Sequence, residues 1–484
     1  MKTEEPITTS PRSEEATFAP GFQSQYDEQR YENLEIQGSF PDWLEGSLLR
    51  TGPALFELEK DKYNHWFDGL ALLHKFEFRK GQVNYANRFL ESDAYCKARE
   101  NGKISIKEFA TDPCRNLFQK VKSFVVPPRP TDNGNISIIK YDDIWLATSE
   151  TPLPVRFEEN TLATLGHFDF NDQLDGQIQS AHPHYGADGS VYNYLLKFGL
   201  RSKYFVFKMD TGSNSREVLA EIKAPNPSYM HSIGMSENYL ILTEFPKIVN
   251  PLELAFGDKP LIENYHWKPE LGTKYQVINR ETGMVTCYEG DAIFGFHHVN
   301  SFEENDHLYI DFVAFDDASV LDHLYLDALR SNEATNAAGH LTRATINLRQ
   351  NGPVSLERLS EKSVELPRIN YERYNTRPYR YVYGAGNTVP GNFLDDITKI
   401  DVQTGEARVW YTEDHYPGEP VFVSAPGAKK EDDGILLSVV LNSTNQTTFL
   451  LALDASTMEE VARATVPEVL PFGFHGQFSV GSGQ

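Results

Sequence analysis

A degenerate hairpin recurs along this chain and constrains its fold more than any other feature. A strand-like run ends in Asp, Asn or Glu, a Thr-Gly or similar turn follows, and a second strand-like run departs. Copies read VFKMDTGS around Asp210, VINRETGM around Glu281, TKIDVQTGEARVW around Asp401 and LALDASTMEEVARA around Asp454. An Asp or Asn at such a turn bonds its own backbone two residues on, and Gly supplies the positive φ that the reversal needs. Further short runs rich in β-branched, aromatic and aliphatic residues cover 71–78, 136–148, 204–209, 239–244, 308–313, 379–383 and 434–441, each bounded by turn formers. Hairpins at blade-length intervals, separated by long irregular insertions, point to an all-β propeller, with a large β-sandwich left open. Helical patterning is sparse, and 321–331 and 116–124 carry the best of it.

A length of 484 residues fits a single large β domain as readily as two smaller ones. We expect a flexible tail over 1–18, one propeller domain over 19–480, and a cloning remnant in the closing GSGQ at 481–484. The formal net charge of −24, with no Lys/Arg run, excludes nucleic acid as an expected partner. Cys96, Cys114 and Cys287 are widely spaced and contain no Cys-x-x-Cys, which argues against a disulfide scaffold or a thiolate metal site. The N-terminus lacks an apolar signal core, and no apolar run is long enough for a membrane span, so the expected location is cytoplasmic, peripheral to a membrane.

Four of the fourteen histidines stand in unusual settings: Ser180-Ala181-His182-Pro183-His184, Tyr229-Met230-His231-Ser232, Gly295-Phe296-His297-His298 and Gly473-Phe474-His475-Gly476. Pro, Gly or an aromatic flanks each one where a strand begins or ends. Their separation is too wide for one helix face and suits strands that reach a propeller axis from different blades. Taken singly, each reads at least as well as a hydrogen-bonded structural residue, and composition and periodicity do not separate the two readings.

The surrounding text does. EGSLLRTGPALFEL from Glu45, HWFDGLALLHKFEF from His65, TDPCRNLF from Thr111, then AHPHYGADGSVYN, SYMHSIG, FHHVNSFEEN, RPYRYVYG, EPVFVSAPGAKKEDDGILLSVV and FHGQF occur in one order along the chain. Together they resemble the carotenoid cleavage oxygenases, and FDGLALLHKFEF and NPSYMHS are similar to the animal-type branch that includes the retinoid isomerase. The resemblance implies a seven-bladed β-propeller with a helical and loop cap over an iron-bearing axial face. It implies four Fe(2+) ligands at His182, His231, His297 and His475, with His184 and His298 structural. Carboxylates at Glu150, Glu365 and Glu419 would hold the ligand rings. Phe67, Phe109, Thr148 and Phe296 match substrate-lining positions, and alternation along a strand would put Thr148 on the face of Glu150.

The implied activity is an O2-dependent dioxygenase that cleaves a conjugated double bond of a carotenoid or apocarotenoid to carbonyl products. Stilbene-like alkenes fall within the same chemistry. Two rival expectations are a retinyl-ester isomerohydrolase on the same iron site and a non-enzymatic carotenoid-binding propeller. A polyene must load from lipid, and residues 113–126 mix apolar with basic side chains as an interfacial segment would. In that region the family carries Pro-Asp-Pro-Cys, whereas this chain has Thr111-Asp112-Pro113-Cys114, which weakens any expectation that Cys114 is lipidated.

Overall fold

The structure is a computed structural model and describes residues 16–113, 130–256, 259–331, 338–350 and 352–481. Among the described residues, seven antiparallel sheets of four to six strands follow one another around a ring, with one further two-stranded ribbon. Each sheet is one blade of a propeller. In chain order the innermost strands of blades one to seven are Gly476–Val480, Ser137–Tyr141, the broken pair Ile178–Gln179 and His184–Tyr185, Gly234–Met235, His298–Glu304, Glu365–Arg368 and Val421–Ser424. Inner strands of neighbouring blades touch across the blade boundaries, and His182 bridges Ser232 in parallel.

Burial explains the sequence pattern. The middle strand Gly434–Asn442 is almost wholly buried, because both of its faces lie against neighbouring blades and so demand a near-continuous apolar run. Outer strands such as Glu217–Lys223 and Glu460–Val466 alternate between buried and solvated positions, as a half-exposed strand does.

All four recurrent hairpins form. They join Lys203–Met209 to Glu217–Lys223, Thr273–Asn279 to Val285–Gly290, Asp396–Asp401 to Ala407–Tyr411, and Thr447–Asp454 to Glu460–Val466. In the second copy the turn-forming side chain is Asn279, whose Oδ1 accepts from the N–H groups of Glu281 (3.1 Å) and Thr282 (2.8 Å). Asp401 and Asp454 accept equivalent bonds from Gln403 (3.0 Å) and Ser456 (2.9 Å). Gly212, Gly283 and Gly405 take φ of 74°, 69° and 73°, and Met458 holds 67° in the fourth copy.

Several expectations are corrected. The run 136–148 is two strands, Ser137–Tyr141 and Ile144–Thr148, reversed at Asp142 with φ 50°. The expected 321–331 helix is broken into Val320–His323 and Leu326–Arg330. Tertiary pairing causes the break: Leu324 O accepts from Trp66 N at 3.0 Å, Leu326 N donates to Asn64 O at 2.9 Å, and Tyr325 bridges His65. The tail does not extend to residue 18. Ala16 and Phe18 are buried with Phe22, Phe393 and Phe472, so apolar burial outweighs ordering entropy there; residues 1–15 lie outside the described residues. The expected 116–124 helix, all of 113–126 but Pro113, and 482–484 also lie outside them.

Two pairings close the ring. Glu35–Gly38 adds to Glu460–Val466 in blade seven, and Gly476–Val480 adds to Gly46–Leu55 in blade one. A cap of short elements, among them Ala19–Phe22, Trp66–Asp68 and Leu326–Arg330, packs together over one end of the ring.

Candidate metal centre

The ring delivers one of seven residues from each blade to the axis. His475, Glu150, His182, His231, His297, Glu365 and Glu419 belong, in that order, to blades one to seven. His231, His297 and His475 each stand just before their innermost strand, and His182 lies in the gap between the two short inner strands of blade three. Hydroxyls tie these turns together: Ser180 Oγ donates to His231 O at 2.6 Å, and Ser232 Oγ donates to Phe296 O at 2.6 Å.

The four side chains form a metal-sized cluster in which one potential ligand atom from each lies within 4.8 Å of all the others. His182 Nε2 is 3.0 Å from His231 Nε2, and His297 Nε2 is 3.1 Å from His475 Nε2. The opposite ring nitrogens of three of them are occupied. His231 Nδ1 meets Glu150 Oε1 at 2.6 Å, His297 Nδ1 meets Glu365 Oε2 at 2.6 Å, and His475 Nδ1 meets Glu419 Oε1 at 2.7 Å. A neutral imidazole that donates from Nδ1 presents a bare lone pair at Nε2. His297 and His475 therefore aim lone pairs at each other, an arrangement that is repulsive unless a cation sits among them. The donor set thus fits a metal ion.

Electrostatics favour neutral rings at His182 and His475. Burial, then the neighbouring imidazoles, hold His182 far below the usual histidine range; burial outweighs the pull of Glu419 and lowers His475 to about 4. Burial works to raise Glu419, but Arg368 and then His475 more than offset it and keep the carboxylate ionised. Arg368 reaches both Glu419 oxygens, at 2.8 and 3.0 Å, and buried Arg50 donates to the Glu419 and Phe474 carbonyls at 3.1 and 3.0 Å. For Glu365 burial is outweighed by His297 and by the Leu366 N–H, which donates from a residue at φ 51°. Tyr229 donates its hydroxyl to Glu150 at 2.9 Å.

His184 and His298 are committed elsewhere. His184 bonds Tyr371 Oη and Ile233 O, each at 2.9 Å, and His298 bonds Ser232 Oγ at 2.8 Å and Thr243 Oγ1 at 2.9 Å.

Two cavities meet the cluster and a third adjoins the first of them. An apolar one is walled by His231, His297, His475, Phe67, Phe296 and Phe474. A second apolar one shares Phe67 and Ile136 with the first and contains Phe109 and Glu150 in its wall. On the other side, a more polar axial cavity is lined by His182, Arg368 and Glu419. Thr148 departs from expectation: it lines none of the three, because its hydroxyl donates to Ser137 O at 3.0 Å and Ala181 O at 3.4 Å. Nor does it share a strand with Glu150, since that strand ends at Thr148. Ile136, Phe474, Arg368 and Arg50 were not singled out from the sequence. Phe474 had a signal, its place beside His475; the others act across blade boundaries that local sequence does not report.

Comparison with known proteins agrees. The family model described as "Retinal pigment epithelial membrane protein" matches residues 22–480. A mitochondrial carotenoid-cleaving dioxygenase of Mustela putorius furo is 34% identical over 92% of this chain and 93% of its own length. The beta,beta-carotene 15,15'-dioxygenase of Gallus gallus is 34% identical over 92% of this chain and 94% of its own. Among solved structures, a cobalt-substituted apocarotenoid oxygenase of Synechocystis superposes with a TM-score of 0.86 at 26% identity, covering 96% of this chain and 98% of that one. With a family model spanning almost the whole propeller and relatives above 30% identity along nearly full length, the chain belongs to the retinal pigment epithelial membrane protein family of carotenoid oxygenases.

Proposed function

We propose that this protein is a non-haem iron dioxygenase that cleaves a conjugated carbon–carbon double bond of a carotenoid or apocarotenoid to two carbonyl products. The observation that carries the reading is four converging imidazole Nε2 atoms, three of them on rings that wall an apolar cavity. His182, His231, His297 and His475 would hold Fe(2+), a metal suited to neutral nitrogen donors with positions left open. When bound, iron supplies the redox chemistry with O2 as co-substrate. The chain supplies the rest. Glu150, Glu365 and Glu419 fix three rings and offset the metal's charge. Phe67 and Phe296, 6.1 Å apart between ring centroids, turn aromatic surface toward the cavity and favour positive charge developing on a polyene. Phe109, 5.3 Å from Phe67, continues that wall into the second cavity. The names of the carotenoid-cleaving relatives support this substrate class.

Loading from a lipid surface belongs to the same reading, because the substrate is nearly insoluble in water. Leu200 and Leu252, 95% and 53% exposed, lie in the wall of the second cavity and offer apolar contact there. No helix among the described residues is long and apolar enough to cross a membrane.

Product analysis of a carotenoid and apocarotenoid panel under ¹⁸O2 tests the proposal. Label from O2 in both carbonyl products, lost on iron removal and restored by Fe(2+), is the expected result. Carbonyl products without label, or cleavage that survives complete iron removal, would overturn it. Retinol formed from a retinyl ester without O2 would establish the isomerohydrolase instead.

A further inference from the structure

We propose that the second cavity is the subsite for an oxygenated end of the substrate, a hydroxyl or carbonyl, and that Glu108 is the residue that hydrogen-bonds it. This rests on the polyene reading above and goes on to specify which polyenes the site prefers.

The cavity is not uniformly apolar. Phe67, Phe109, Ile178 and Leu261 form one part of its wall, whereas Glu108, Thr131, Ser149 and Thr151 form a compact polar flank. Glu108 is only 5% exposed. Its Oε1 accepts from Thr131 Oγ1 at 2.8 Å, and no hydrogen bond from a described residue engages Oε2. Among the described residues no cation pairs with it: the adjacent Lys107 binds Asp112 at 3.1 Å and Lys259 O at 3.0 Å instead. A buried carboxyl without a cation neutralises rather than remain charged. Burial, and then the nearby Asp68 carboxyl, push Glu108 well above the usual carboxylate range.

A neutral carboxyl both donates and accepts. It can therefore give a hydrogen bond to a carbonyl oxygen, or exchange two with a hydroxyl, while a hydrocarbon end would leave Oε2 without a partner. Such an asymmetry is how a buried polar group rejects a ligand lacking its partner. The flank is also anchored toward the metal side. Thr151 Oγ1 donates to Thr131 O at 2.6 Å and lies 3.2 Å from Ser149 Oγ, and these two residues bracket Glu150, which holds His231. An oxygen bound at Glu108 would thus fix how far the conjugated chain slides past the histidines.

The test uses two apocarotenoids of equal length that differ only in carrying a hydroxyl or carbonyl at the uncleaved end. Affinity is read by quenching of protein fluorescence under anaerobic conditions in the iron-loaded protein, and kcat/KM in air. We expect wild type to favour the oxygenated member by about tenfold or more. Glu108→Leu should reduce that preference to near unity, chiefly through KM, with iron content intact. Glu108→Gln should retain it, since an amide also donates and accepts, and Thr131→Val should lower it several-fold by releasing the carboxyl from its orienting hydroxyl. A wild type without preference, or iron-loaded Glu108→Leu that keeps it, would overturn the proposal; if the leucine variant fails to fold, an unchanged preference in Thr131→Val does so. Because quenching needs no turnover, preference in binding without oxidative cleavage would sink the reaction reading and leave this one standing.

Discussion

Three rings of the candidate centre are oriented by carboxylates, and the three carboxylates differ in what holds them. Glu419 is the most heavily supported, with Arg368 on both oxygens and the Gly476 N–H at 2.9 Å on Oε2. Its replacement by Gln removes the counter-charge of Arg368 and weakens the anchor of His475 at once. Glu419→Gln should therefore lower iron affinity by about 10–100-fold, measured as metal content after dialysis against a graded chelator. Adjacent histidines offer a sharper contrast. His297→Gln should abolish stoichiometric iron while leaving secondary structure intact, whereas His298→Gln should keep iron and lose about 1–3 kcal/mol in chemical denaturation, through the lost ring bonds to the Ser232 and Thr243 hydroxyls. Motif context separated these neighbours in the sequence, because Gly-Phe-His-His is ambiguous by composition alone. Arg50 and Arg368 were invisible, since each reaches Glu419 only across a blade boundary.

At the scale of the element, the recurrent hairpins do more than reverse the chain. A Cβ at Gly283 would lie 2.2 Å from Leu219 O, and one at Gly405 would lie 2.7 Å from Leu359 O, while Gly212 has nothing within 4 Å. Leu219 and Leu359 belong to the outer strands of the preceding blades, so two of the turns pack glycine against a neighbour's backbone. Gly212→Ala should cost only the conformational penalty of its positive φ, about 1–2 kcal/mol. Gly283→Ala and Gly405→Ala should cost more, because a backbone carbonyl has to move as well, and denaturant midpoints of the three variants will rank them. The hairpins were legible because a turn is written in contiguous residues. The break in the 321–331 helix was not, because it is imposed by backbone pairing with residues 64–66.

For the molecule as a whole, ring closure joins strands more than four hundred residues apart, and nothing in the local pattern of 35–38 or 476–480 announces their partners. Folding also seals polar groups into the cap and the blade interiors, and this gives stability a pH dependence. Burial lowers His65 to about 3, against the pull of its bond to Leu321 O, and burial with Arg50 nearby lowers His74 to about 3. In the unfolded chain both would titrate near about 6.5. Below that value the unfolded state binds protons that the folded state refuses, so stability is full above pH about 6.5 and is lost as pH falls toward 3. Each histidine can contribute a slope of up to about 1.4 kcal/mol per pH unit in that window. Loss of metal as ligand histidines protonate would act in the same direction, so the slope of wild type alone does not isolate the buried pair. The difference between wild type and His74→Gln does. His74 lies in blade one with its Nδ1 on Tyr85 Oη at 2.8 Å, outside the metal cluster, and the variant retains every metal ligand. Urea denaturation at constant ionic strength between pH 7 and 4 should give His74→Gln a lower stability at pH 7 but a shallower decline, so that the two curves converge toward acid. Parallel curves would place the acid sensitivity elsewhere than in this buried ring.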